Sequence, residues 1–123
     1  MIDWTRYPNF SETEFRCRHT GDCFMDPEFL RKLQELRYLF GKPMPVTSGY
    51  RAPSHPIEAE KSAPGEHCTG RAADIAVRGP DALRLIRLAV DVGFTRVGVN
   101  QKGDKRFIHL GDSPEFPPGI WSY

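Results

Sequence analysis

The apolar residues of one long stretch repeat at the spacing of an α-helix. This stretch starts at Asp26 and Pro27, a polar cap followed by proline at the first helical position, and ends at Gly41. A helix with these boundaries buries one apolar face against a core. The residues expected on that face are Phe29, Leu30, Leu33, Leu36 and Phe40.

A second helix is predicted from about Pro80 to Val92, with Gly93 as its stop signal. Its apolar face is predicted to carry Leu83, Ile86 and Val90. A third, much shorter helix is predicted after Ser11. Ser11 and Glu14 have the spacing of a capping box, in which side chain and backbone satisfy each other at a helix start.

Four short segments have the composition of β-strands. They are PVTSGY at 45–50, AADIAV at 72–77, TRVGVN at 95–100 and RFIHL at 106–110. The last two are joined by QKGDK, a turn-rich connection that predicts a hairpin. Together with the helices, this pattern predicts an α+β fold, with a small antiparallel sheet and the helices packed on one side.

The segment between the first two strands predicts a long loop. Residues 51–65, RAPSHPIEAEKSAPG, contain three prolines and no hydrophobic period. Loops of this length in small domains are usually functional or disordered. The loop carries His55, which is interpreted as a surface histidine because prolines flank it and no carboxylate partner is evident.

The length and the net charge of the chain limit the classes of function that are expected of it. A chain of 123 residues and 14.0 kDa fits one domain, residues 1–123. The net charge of +1 is too small for the basic field typical of nucleic-acid binding, so no nucleic-acid partner is expected. No run of about 18 apolar residues and no signal peptide are present, which predicts no membrane insertion and synthesis in the cytoplasm. A target outside the membrane would require another factor for delivery.

The three cysteines leave several interpretations open. Cys17 and Cys23 could form a disulfide, or could join His19 in a small zinc site. They could also remain reduced, as cytosolic thiols usually do. Cys68 follows directly after His67 and is expected near the site that His67 belongs to.

A carboxylate inside an apolar run marks the first candidate site. Asp74 lies within AADIAV, where an unpaired buried charge is costly, so something must compensate it. His67 precedes it across the turn-forming Gly70, and His109 lies on the last predicted strand. Two imidazoles and one carboxylate with an open fourth position form a catalytic zinc set. Spacing alone also allows a metal-free interpretation, in which Asp74 pairs with Arg71 or a histidine.

HCTGRAADI resembles the HxxGxAxDI signature of the zinc D-alanyl-D-alanine peptidases. That group includes phage endolysins, bacterial carboxypeptidases and vancomycin-resistance dipeptidases. The resemblance covers nearly the whole chain, because further segments follow in the order seen in short phage-encoded members. These segments are NFSETEF, LRKLQELR, VTSGYR, GFTRVGV, FIHL and WSY. The resemblance implies a fold of the hedgehog and D-Ala-D-Ala-peptidase type.

The resemblance also implies roles for particular residues. It implies that His67, Asp74 and His109 bind Zn²⁺, and that Arg51 faces the substrate. A guanidinium there can hold a peptide carbonyl or carboxylate, and Ser48 is expected to support it by hydrogen bonding. The implied activity is hydrolysis of an amide bond in peptidoglycan peptides, next to D-alanine. The implied setting is phage lysis or cell-wall remodelling, with phage particle proteins as further partners and the protein acting on the cell wall, free or virion-associated.

The sequence departs from this family at three positions. Gly65 stands where members commonly carry serine two residues before the first metal histidine. Gly111 stands where close members carry an acid two residues after the last one, and the carboxylate follows at Asp112. Arg106 stands where larger members carry the acid that serves as general base.

These departures leave the general base open. Asp112 is the first candidate, because a bulge at Gly111 would return its side chain to the metal face. Glu66 and then Asp104 are the other candidates. A second hypothesis follows from the same departures: a catalytically inactive, zinc-stabilised virion or tail component, or a cell-wall-binding module.

Overall fold

Five strands form one sheet in the structure of this protein, a computed structural model that describes residues 1–123. In sequence order the strands are β1 (Val46–Ser48), β2 (Ala72–Ile75), β3 (Arg96–Asn100), β4 (Phe107–Gly111) and β5 (Gly119–Ser122). In space their order is β1-β2-β4-β3-β5. The first four pair antiparallel, as the alternation of short apolar segments predicts, and β3 and β4 form the expected hairpin.

The fifth strand was not predicted, and it makes the sheet mixed. β5 pairs parallel to β3, with Gly98 opposite Trp121. Its side chains are exposed apart from half-buried Trp121, so the strand lacks the alternating burial pattern that identifies strands in a sequence. A Cβ on Gly98 would lie 2.8 Å from the Trp121 ring, so the glycine lets the indole lie flat against β3.

Four α-helices accompany the sheet: α1 (Glu12–Phe15), α2 (Pro27–Phe40), α3 (Pro56–Ala59) and α4 (Gly79–Val92). At the start of α2 the Asp26 carboxylate accepts backbone hydrogen bonds from Glu28 at 2.8 Å and Phe29 at 3.2 Å. At its end Gly41 has the left-handed conformation, with φ 70°. The predicted boundaries of α2 and the burial of its five apolar residues are therefore confirmed.

The buried face of α4 differs from the one that its larger apolar residues indicate. Leu83 and Val90 are 72% and 56% exposed. The fully buried residues of α4 are Ala82, Leu85 and Ala89, and of the three predicted residues Ile86 alone packs against the core, partly buried. Two alanines allow a close approach between helices, and an interpretation by side-chain size alone overlooks them.

The core lies between the helices and one face of the sheet. It is a single cluster of 23 buried apolar residues, to which β2 contributes Ala73 and Ile75. Because side chains alternate along a strand, Asp74 projects to the opposite face. The α+β prediction is confirmed. The face of the sheet away from the core is available for a functional site.

The loop at 51–65 is more ordered than its composition suggests. It contains α3, whose first turn is capped by His55 through a hydrogen bond from the Ile57 N–H to Nδ1 at 3.1 Å. The three cysteines are free, and Cys17 Sγ accepts a hydrogen bond from the Ala52 N–H at 3.3 Å. The one group of potential metal ligands consists of His67, Asp74 and His109 and includes no cysteine. None of the helices has the length and apolar character that crossing a bilayer requires.

Candidate metal centre

Asp74 and His109 face each other across the two central strands. They are directly opposite in the register between β2 and β4 and are both buried, with 6% and 3% of their surface exposed. His109 Nδ1 lies 3.0 Å from Asp74 Oδ1. The pleat therefore places an imidazole and a carboxylate side by side on the face opposite the core.

His67 reaches the same point from a different element. It belongs to a 3₁₀ turn, Glu66–Thr69, which ends at Gly70 in the left-handed conformation with φ 75°. The turn brings His67 Nε2 to 3.3 Å from Asp74 Oδ1. The other ring nitrogen, Nδ1, lies 2.7 Å from the carbonyl oxygen of Gly49.

These three side chains fit a zinc ion. One ligand atom from each of His67, Asp74 and His109 lies within 4.8 Å of the other two. A hydrogen bond from His67 Nδ1 to the Gly49 carbonyl leaves Nε2 to face the cluster. In the same way His109 Nε2, 2.7 Å from Glu66 Oε1, leaves Nδ1 for the cluster. Histidine ligands of zinc commonly donate their second N–H to a carbonyl or carboxylate, as both do here.

The electrostatics of the cluster favour a cation. Burial alone raises the pKa of Asp74, but the hydrogen bonds with His109 and His67 outweigh it and hold this pKa below its usual range. Burial lowers the pKa of His109, whereas the contacts with Asp74 and Glu66 raise it more, so the net shift is upward. The ionised carboxylates thus attract positive charge, which a metal ion or a proton on His109 supplies.

Glu66 is the second buried carboxylate of the centre. Its oxygens lie 2.7 Å from His109 Nε2, 3.0 Å from Arg96 Nε and 3.1 Å from the Ser113 N–H. A Cβ on Gly111 would overlap both oxygens. The absence of a side chain at position 111 therefore provides the space that the Glu66 carboxylate occupies.

The sequence of this chain matches one family of known proteins. The profile described as Peptidase M15 matches residues 8–111. The chain belongs to the peptidase M15 family. Membership places it among the hydrolases and confirms the resemblance seen in HCTGRAADI. No curated protein sequence matches the chain significantly.

In this M15 chain Asp112 does not reach the metal centre, contrary to the first choice for a general base. The Asp112 carboxylate lies 2.8 and 2.7 Å from two nitrogens of Arg71 and 2.8 Å from Lys32 Nζ. Gly111 pairs in register with both neighbouring strands, so the bulge that would have turned Asp112 round is not formed. Arg71 also contacts Asp26, at 2.7 Å, and not Asp74, which excludes the metal-free pairing with Arg71.

The other predicted residues of the M15 site are only partly brought together. Arg51 lines the cavity above the metal cluster, with Nη2 3.8 Å from Asp74 Oδ2 and Nη1 3.1 Å from Glu58. Ser48 lies on β1 opposite Asp74 and makes no hydrogen bond to Arg51, so the expected support is not seen. Asp104 is exposed in the hairpin loop and lines a neighbouring cavity.

The cavity of the M15 site holds residues that the sequence did not indicate. Its volume is about 450 Å³, and the metal cluster lies in its wall. The Arg96 guanidinium covers the Trp121 ring at 4.8 Å, and the same ring lies 5.1 Å from the His109 ring. The aromatic residues lining the cavity are Phe107, Phe116, Trp121 and Tyr123. In the sequence, only the terminal WSY segment of the family resemblance pointed to these aromatic side chains, and it indicated no role for them.

Proposed function

We propose that this M15 chain is a zinc-dependent peptidase that hydrolyses an amide bond next to D-alanine in bacterial peptidoglycan peptides. The observation that carries the proposal is the buried set of His67, Asp74 and His109, with the Glu66 carboxylate beside it, in the wall of an open cavity. The choice of substrate is supported by the family resemblance.

Zinc at this set supplies a Lewis acid that polarises a carbonyl and makes water a nucleophile near neutral pH. His67, Asp74 and His109 would hold the ion, and three protein ligands are the number typical of catalytic zinc. Asp74 contributes the negative charge of the set, a buried charge that a bound metal ion would compensate.

Glu66 is the residue best placed to move the proton. It lines the cavity with the metal ligands, whereas the Asp112 carboxylate is bound by Arg71 and Lys32 and does not line it. The Arg96 guanidinium and the Ser113 N–H fix its carboxylate, which then accepts a proton from the attacking water and returns it to the leaving amine. Positioning by fixed donors keeps the proton path short.

Arg51 binds the substrate in this proposal. Its guanidinium lines the cavity on the Asp74 side and donates to the scissile carbonyl or to a terminal carboxylate. A positive group in this place also stabilises the oxyanion that develops on the carbonyl. The aromatic side chains opposite provide apolar contact area for the rest of the peptide.

The decisive experiment measures zinc content and turnover on the same samples. Wild type should contain about one zinc per chain and release new amino groups from purified cell walls. His67→Ala should lose both, whereas Glu66→Gln should keep zinc and lose turnover. The exposed Glu60→Gln is the matched control and should keep both. Zinc without any release in wild type would reject the peptidase and support a zinc-stabilised virion, tail or wall-binding module.

The setting of the activity forms part of the same proposal. The chain would be made in the cytoplasm of an infected host and act on the cell wall, either free or bound to phage particle proteins. An antibody against the protein distinguishes these cases. Signal in purified virions supports the particle-bound form, and signal only in the soluble lysate supports the free enzyme.

A further inference from the structure

A buried carboxylate outside the metal centre has no part in the chemistry described so far. Glu58, on α3 in the 51–65 loop, is 3% exposed. Oε2 lies 3.1 Å from Arg51 Nη1 and 2.9 Å from Lys61 Nζ. Oε1 accepts from the Gly65 N–H at 2.8 Å and lies 3.5 Å from Cys68 Sγ. A buried carboxylate that accepts this many hydrogen bonds holds its donor groups in fixed positions.

We propose that Glu58 is the positioning residue for Arg51, whose guanidinium it holds at the cavity. The proposal rests on the substrate-binding role given to Arg51 above. It assigns Glu58 no contact with the substrate.

The position of the guanidinium supports this role. The Arg51 side chain is 16% exposed and lies between two carboxylates, 3.1 Å from Glu58 and 3.8 Å from Asp74. The shorter contact is to Glu58. Arg51 Nη2 already forms the longer salt bridge with Asp74, and without Glu58 this pair would close and compete with the metal. Glu58 therefore holds Nη1 and limits the approach of Nη2 to Asp74.

Gly65 provides the space that this arrangement needs. A Cβ at position 65 would lie 2.8 Å from Lys61 Nζ and 3.1 Å from Glu58 Oε1. The serine that similar peptidases carry there would crowd the carboxylate. Gly65 directly precedes the turn that carries Glu66 and His67. One carboxylate thus connects the start of the loop, at Arg51, with its end beside the metal centre.

A first experiment tests the contact without substrate or metal. In ¹⁵N NMR, restricted rotation of the Arg51 guanidinium gives separate Nη signals, which are assigned by their absence in Arg51→Lys. These signals should be resolved in wild type and in the control Glu60→Gln, and should merge in Glu58→Gln. Unchanged signals in Glu58→Gln would overturn the proposal. This result does not depend on whether the chain is a peptidase.

A second experiment tests the consequence for binding. The probe is a synthetic stem pentapeptide ending in D-alanyl-D-alanine, and its Kd is measured by calorimetry on metal-free protein, where no hydrolysis occurs. Glu58→Gln should raise Kd about tenfold, the effect of losing one charge-assisted contact. Because Glu58 acts through Arg51, the double variant with Arg51→Ala should bind no more weakly than Arg51→Ala alone.

The outcomes separate the possible roles. Additive losses in the double variant would show that Glu58 only stabilises the fold, and would overturn the proposal. If Glu58→Gln does not fold, Glu58→Asp takes its place, because a side chain shorter by one methylene cannot reach both Arg51 and Gly65. Absence of cell-wall hydrolysis by wild type would reject the peptidase assignment alone, and the NMR result would still decide the role of Glu58.

Discussion

The carboxylate of Glu66 fills the space that a side chain on Gly111 would need. Taken singly, Gly111 looks like the loss of a functional acid. In the structure, the missing side chain at position 111 admits the acid from the 3₁₀ turn. The Glu66 carboxylate thereby lies 2.7 Å from His109. The apparent defect in the motif is thus a condition for the position of Glu66.

Gly111→Ala should therefore impair the site more than the addition of one methyl group suggests. The added methyl group would overlap the Glu66 carboxylate and displace it from His109 and Ser113. We expect turnover to fall at least tenfold and stability to fall by about 1–3 kcal/mol, the usual cost of overpacking. The control is Gly119→Ala on β5, where a Cβ meets nothing within 4 Å. Equal behaviour of the two variants in cell-wall hydrolysis and thermal unfolding would contradict this account.

Glu66→Gln should separate proton transfer from metal binding. The amide keeps the shape of the side chain but cannot accept a proton, so turnover should fall by about 10²-fold or more. Zinc content should stay near that of wild type, because the three ligands remain. A variant that hydrolyses cell walls at the wild-type rate would remove Glu66 from the role of base.

Asp112→Asn should affect stability and not chemistry. Asp112 is buried between Arg71 and Lys32, and removal of its charge leaves Lys32 without its carboxylate partner and Arg71 with Asp26 alone. Breaking such a pair costs about 3 kcal/mol. Chemical denaturation should show this loss, while the folded variant should keep its zinc and its turnover. A large loss of turnover at full zinc occupancy would return Asp112 to the list of catalytic groups.

The contrast between Glu66 and Asp112 shows what the sequence could and could not provide. The metal set was predictable, because a motif with fixed spacing carries His67 and Asp74 and a strand pattern carries His109. The base was not. Asp112 is bound by Lys32, 80 positions away, and by Arg71, 41 positions away. Proximity in sequence to a metal ligand gives no information on such distant partners.

The fold shows the same division between local and distant information. The α2 helix was predictable because its cap, its period and its final glycine are all local signals. The buried face of α4 was not, since alanines decide it by their fit against other parts of the protein. β5 was missed because its register depends on β3 and on the Trp121 contact with Gly98, more than on its own composition.

Removal of the metal should lower the stability of the folded protein, and the loss should be larger the more fully the metal site was occupied. Ligand binding to the folded state alone contributes about 2.7 kcal/mol at a free concentration of 100 Kd. A chelator should therefore lower the Tm of wild type, and zinc should restore it. Asp74→Asn should have a low Tm that neither treatment changes, whereas the exposed Asp104→Asn should respond as wild type does. A wild-type Tm unaffected by chelator would argue against a metal at this site.

Acid should destabilise the protein partly through Glu58. Burial raises the pKa of this carboxyl, but hydrogen bonds from Lys61, Gly65 and Arg51 outweigh it and lower the pKa from 4.5 to about 2. A lowered pKa in the folded state means that the contribution is complete above pH 4.5 and is lost as the pH falls toward 2. That contribution is about 3 kcal/mol. Urea denaturation between these pH values should show a steeper loss for wild type than for Glu58→Gln, and parallel curves would contradict the assignment.

The sheet order gives the two halves of the site different resistance to opening. β2 and β4, which carry Asp74 and His109, each have a strand on both sides. Their amide hydrogens are expected to exchange with deuterium only when the whole protein unfolds. The loop that carries Arg51 and Glu58 contains one short helical turn, and its amides should exchange through local opening at lower free energy. Asp74 and His109 are thus expected to stay in place while the loop that carries Arg51 opens, an opening that would admit a peptide and release products.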